Sequence, residues 1–155
     1  MARKTKIVPI TTEGRDFGKT FLLTEMPASQ AEKWATRALL LAAHSGVNIP
    51  QVQGMAAIAL VGIQTIMNGV DFKELEPLLD EMFDCIQIIP DLKKSAFARP
   101  LIEDDIEEVM TRLQLRDEVL ELHLGFSVAG ALSTLISETP AKDSSDTQTS
   151  SPSPA

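Results

Sequence analysis

Histidine, cysteine and carboxylate side chains carry most acid–base, nucleophilic and metal chemistry, and this chain uses them in ways that do not converge. There are two histidines, His44 and His123, far apart in sequence, and one cysteine, Cys85. A metal site needs several such ligands at short fixed spacings, and neither an HExxH nor a CxxC pattern occurs. His44 precedes Ser45-Gly46 and fits a helix-end or surface group, while His123 within Leu122-His123-Leu124 fits a packed or partly exposed position. Cys85 lies in an apolar run beside Asp84; burial and a neighbouring negative charge both raise a thiol pKa, which points to a structural cysteine. Gly18-Lys19-Thr20 echoes the end of a phosphate loop, but position 13 is Glu13 where that motif needs glycine, and a strand-like run follows instead of a helix. The paired carboxylates Asp80/Glu81, Asp104/Asp105, Glu107/Glu108 and Asp117/Glu118 sit in charged stretches that resemble solvated helix faces. Acid–base catalysis would need two carboxylates in unlike surroundings within a cleft. No catalytic, cofactor-binding or metal-binding residue is expected, and no enzymatic activity.

Bulk properties narrow the function classes further. The chain has 155 residues, 44% hydrophobic and 23% charged, with a formal net charge of −8. That length and composition suit one domain. An acidic chain has little with which to neutralise phosphates, so nucleic acid is not an expected partner. A transmembrane helix needs ~20 apolar residues, whereas the longest uncharged apolar run, Gly54–Ile63, has ten. Pro9, Thr11, Thr12 and Glu13 stand where a signal peptide would have its apolar core. One cysteine permits no internal disulfide. A cytoplasmic protein with no membrane association fits these features.

The elements follow from punctuation and periodicity. Lys6–Ile10 and Thr20–Met26 are short apolar runs around the turn residues Gly14, Asp16 and Gly18, which predicts a β-hairpin. Ser29 and Glu32 have capping-box spacing, and Ala31, Trp34, Ala35, Ala38 and Leu39 give the next helix an apolar face as far as about Ala43, with Gly46 as a left-handed cap. A second helix is expected from about Pro50 to Asn68, apolar on nearly all sides and stopped by Gly69. Gly54 and Gly62 keep one side of it thin, so it suits either a core helix or one for self-association. A third is expected from Phe72 to Cys85, regular only after Leu75 because of Pro77. Cys85–Ile89, ended by Pro90, is compatible with helix or strand. Phe97–Leu101 should be extended, because a residue before proline avoids helix. A fourth helix over Asp104–Leu113 would present Ile106, Val109, Met110 and Leu113, and a fifth over Arg116–Ile136 would extend a stripe of Leu115, Val119, Leu122 and Phe126. Glu138–Ala155 holds five Ser, three Thr and three Pro, without Val, Ile, Leu, Met, Phe or Trp. It cannot bury enough apolar surface to offset its ordering entropy. The expected fold is mainly α: about five helices, a short N-terminal hairpin and a disordered C-terminal tail. Residues 1–6 form a flexible end, 7–137 one domain and 138–155 the tail.

Two blocks carry a family resemblance. Glu25-Met26-Pro27-Ala28, followed by Glu32-Lys33-Trp34-Ala35-Thr36-Arg37-Ala38, resembles the start of tail assembly chaperones of long-tailed bacteriophages, and Ile102-Glu103-Asp104 through Thr111-Arg112-Leu113 to Leu115–Phe126 is similar to their C-terminal half. Together the blocks span about residues 20–126. The resemblance implies a small, mostly helical, non-enzymatic protein of the infected host's cytoplasm, absent from the mature virion. Its partner would be the tape measure protein, kept assembly-competent until the tail tube polymerises. A longer form made by frameshifting would contact the tail-tube protein. The runner-up is a small tail or head-completion protein of the virion.

Charge and side-chain type give this reading a candidate surface. Residues 103–121 carry eight acids against Arg112 and Arg116, a net −6, and residues 71–84 carry six against Lys73, a net −5. Such surfaces steer a basic partner. Six methionines suit an irregular apolar one. The candidate partner-binding residues are Glu107, Glu108, Asp117 and Glu118 with Leu115, Leu122 and Phe126. A homo-oligomer is a further expectation.

Overall fold

Alternation along the first two strands sets up the core. In the computed structural model, which describes residues 2–46, 64–65, 68–125 and 137, Thr5–Pro9 (β1) and Thr20–Thr24 (β2) pair antiparallel with Val8 opposite Phe21 and Lys6 opposite Leu23. This is the expected hairpin, closed by Ile10 N–H donating to the Lys19 carbonyl at 2.9 Å. Ile86–Ile89 (β3) adds to β2, with Ile86 opposite Leu23 and Ile88 opposite Phe21. The two-residue strand Arg99–Pro100 (β4) completes the antiparallel order β1-β2-β3-β4. The run that sequence left open between helix and strand is therefore a strand. Its β-branched residues suit a pleated surface, and β2 would otherwise be an edge with Phe21 and Leu23 uncovered. Side chains two apart share a face, so Val8, Phe21, Leu23, Ile86 and Ile88 line one side of the sheet, and all five are buried.

Three helices belong to the described residues: Ala28–His44 (α1), Phe72–Phe83 (α2) and Val109–Leu124 (α3). They bring Trp34, Met82, Leu115 and Val119 against the core formed by the sheet. Three helices with a four-stranded antiparallel sheet make an α+β fold among these residues, not the mainly α, five-helix arrangement expected from the sequence.

Several boundaries differ for identifiable reasons. Helix α1 starts at Ala28 with Pro27 as its N-cap and no side-chain cap. Ser29 is already inside the first turn, so the Ser29–Glu32 capping box does not form. Leu41 and Ala42 are buried on α1 while Leu39 is 62% exposed, off the core stripe assigned to it. Gly46 ends this segment at φ +75°, where a side chain would be strained, as its expected capping role requires. Helix α2 starts at Phe72, capped by the Asp71 carboxylate accepting from Lys73 N–H, and passes through Pro77 without stopping. The hydrogen bond that proline omits would have gone to the carbonyl of Lys73, an exposed residue where water can substitute, while buried Leu78 and Met82 hold the helix beyond. Neither an Asp104 start nor a break near residue 115 occurs in the last helix. Glu103–Asp105 is one 3-10 turn, Ile106–Glu108 is extended, and α3 then runs unbroken to Gly125 at φ +78°. Most of the expected second helix, the later part of the fifth and the expected tail lie outside the described residues.

Candidate partner-binding surface

The start of α3 is decided by a residue more than 90 positions upstream. Asp16 in the hairpin connection is fully buried, and its carboxylate accepts from the backbone N–H of Glu107 at 3.0 Å and of Glu108 at 3.0 Å. Lys19 Nζ stands 2.7 Å from the same carboxylate. Burial alone would push the Asp16 pKa up. The Lys19 ammonium, both backbone donors and the Thr111 hydroxyl outweigh burial and hold it at about 2. An anion at this point also meets the positive end of the α3 dipole. The three carboxylates of 103–105 thus precede the helix, and Asp16 supplies its anchoring negative charge.

Sequence distance conceals how much of the acidic stretch is neutralised. Lys6 lies on the helix-facing side of β1, in register with Val8, and its ammonium is 2.6 Å from Glu118 and 2.7 Å from Glu121. Those partners raise the Lys6 pKa, Glu118 foremost, and Lys6 in turn lowers that of Glu121. Arg15 donates to the Glu107 carbonyl at 2.8 Å and stands 3.8 Å from the Glu108 carboxylate. Arg99 grips buried Asp105 through two bonds of 2.7 Å, which lowers the carboxyl pKa. Four cations from outside residues 103–121, less Asp16, bring the local net charge from −6 to −3.

The candidate residues separate accordingly. Glu107 is exposed, with Lys19 3.7 Å away. Glu108, Asp117 and Glu118 are half-buried. Leu115 is fully buried and Leu122 is packed against the core, so both serve the fold. Phe126 lies outside the described residues. The exposed apolar residues of α3 are instead Val109 and Met110, each 71% exposed, Leu113 at 49% and Leu124 at 42%.

The segments around Met26 and His123 meet in space. The backbone N–H of Met26 donates to His123 Nε2 at 2.8 Å, and His123 Nδ1 lies 2.7 Å from the Val119 carbonyl. Accepting at Nε2 requires the proton on Nδ1, so the neutral ring bridges the turn before α1 to the end of α3. Trp34 Nε1 donates to the Leu78 carbonyl at 2.9 Å and ties α1 to α2. Between α1 and α3 this leaves a mainly apolar groove of about 340 Å³, lined by Ala28, Ala31, Trp34, Ala35, Leu120 and Leu124 among others. No protein-family model, curated protein or solved structure matches the chain.

A second cavity of about 470 Å³ opens beside β3 and β4 and contains Arg3, Cys85 and Arg112. Burial, then Asp84, pushes the Cys85 thiol up to about 11, and its sulfur donates to the Glu81 carbonyl at 3.7 Å. The thiol is therefore neutral and a poor nucleophile. The Arg112 and Arg116 guanidinium groups lie over the Phe83 ring at 4.1 and 4.9 Å, on the α2 side of α3. What remains on the opposite side of α3 is apolar surface beside exposed carboxylates, an arrangement suited to binding a macromolecule.

Proposed function

We propose that this protein is a tail assembly chaperone of long-tailed bacteriophages, a non-enzymatic protein that binds the tape measure protein and keeps it soluble until tail-tube subunits polymerise around it. The observation that carries this reading is the junction of the two resembling blocks. Met26 and His123 come from segments 97 residues apart, are hydrogen-bonded, and sit beside an apolar groove. A shared structural unit of that kind gives the paired motifs one physical role. In this reading the protein acts in the cytoplasm of the infected host and is left out of the finished particle. A longer frameshifted form also contacts the tail-tube protein.

The test is co-expression with the tape measure protein of the same genome, followed by pull-down at low and high salt and mass spectrometry of purified particles. Capture of the tape measure protein, with the chaperone absent from particles, is the expected result. No capture at low salt overturns the assignment. Stoichiometric presence in particles would make the protein a tail or head-completion component instead.

A further inference from the structure

We propose that the outward side of α3 is a docking track for a cationic amphipathic helix of a partner protein. At 3.6 residues per turn, Val109, Leu113, Leu120 and Leu124 fall on one line with Met110 beside it. Thr111, Leu115, Val119 and Leu122 fall on the opposite line. The second line is in the core; on the first only Leu120 packs against the core, while Val109 and Met110 are 71%, Leu113 49% and Leu124 42% exposed. A helix needs one apolar face to pack onto its own sheet, and this one has two. The outward line is not an isolated patch. Leu120 and Leu124 line the groove whose far wall carries Ala28, Ala31 and Ala35, small side chains that allow another helix to come close. Helix α3 has 16 residues, so the track is ~24 Å long, enough for partner side chains at i, i+3 or i+4, and i+7.

Charge decides the occupant. Glu103, Asp104 and Glu107 are exposed just before the helix. Among the described residues Glu103 and Asp104 have no ion-pair partner. The arginines of α3, Arg112 and Arg116, are turned onto Phe83. A second copy docked face to face would set these carboxylates against themselves on two chains of net charge −8. An anionic lipid surface would be repelled in the same way. A helix with basic residues flanking its apolar ones meets both requirements. The site stands on these observations, whereas the partner's identity rests on the chaperone reading above.

Trp34 is the chain's single tryptophan and lines the groove, so its emission reports occupancy. The experiment titrates the full chain with two tryptophan-free model helices of roughly 18 residues, one Leu/Lys and one Leu/Glu. The Leu/Lys helix should bind and shift Trp34 emission. Met110→Lys with Leu113→Lys should weaken it by about tenfold or more, with Val109→Lys as a second variant at the same face. Ile7→Lys, which adds the same single charge as Val109→Lys but at an exposed sheet residue, should change it by less than about twofold. Equal binding of the Leu/Glu helix, wild-type affinity in the α3 variants, or an equal loss in Ile7→Lys would overturn the proposal. The same variants are then tested for capture of the tape measure protein. Capture lost with Met110→Lys and Leu113→Lys supports both site and partner. Undiminished capture overturns the site and leaves the chaperone reading standing. No capture by wild type, with the Leu/Lys helix still seated on α3, supports the site and overturns that partner.

Discussion

Asp16 shows how much one side chain can organise. Its carboxylate holds the backbone of Glu107 and Glu108 and the Lys19 ammonium from a fully buried position. Its folded pKa of about 2 lies below the ordinary 3.8, so the group adds stability that is complete above pH ~4 and is lost as pH falls towards 2. Asp16→Asn keeps the shape and removes the charge. It should cost about 2 kcal/mol at neutral pH, and the gap to wild type should close between pH 4 and pH 2. Urea unfolding of both proteins across that range measures it, and a gap independent of pH would exclude the ionic origin. In the sequence Asp16 was visible only as a turn residue. The partners that give it this role are some 90 positions away, and no local pattern announces them. His123 is similar: its place on a helix was legible, its bond to Met26 was not.

At the scale of elements, α3 explains the largest misreading. Apolar residues occur on two opposite sides of the helix, so periodicity supports either side as the buried one. The sheet selects the side with Leu115 and Val119. Leu115→Ala should therefore cost about 2–5 kcal/mol by leaving a cavity, while Leu113→Ala should stay within about 0.5 kcal/mol. Thermal or chemical denaturation of the two variants reads out the orientation directly, and similar losses at both positions would contradict it. The hairpin was legible because turn residues separate two short apolar runs. The third strand was not, since four residues of isoleucine and glutamine suit helix and strand alike until β2 offers its free edge.

For the whole molecule, net charge and surface charge are different quantities. The chain's −8 is evident from composition, but Lys6, Arg15, Lys19 and Arg99 come from other segments to neutralise carboxylates of residues 103–121. Reversing Glu108 and Glu118 would set like charges against Arg15 and Lys6, so such variants disturb packing as well as attraction. Glu103→Lys with Asp104→Lys avoids this. It should leave the melting temperature nearly unchanged and slow association with a basic partner, an effect fading at high salt because exposed charges are screened over ~8 Å at physiological ionic strength. Stopped-flow association at two salt concentrations checks it, and a salt-independent rate equal to wild type would remove the electrostatic role. Residue types and their spacing by themselves determined the acidic net charge, the hairpin, and the extents of α1 and α2 to within a few residues. Those are local or additive properties. Only the tertiary structure decided that the hairpin grows into a four-stranded sheet, where α3 begins, which of its two apolar sides is buried, and which carboxylates are already paired. Each of these depends on a contact between segments tens of residues apart, where competing local preferences are nearly balanced and the partner tips them.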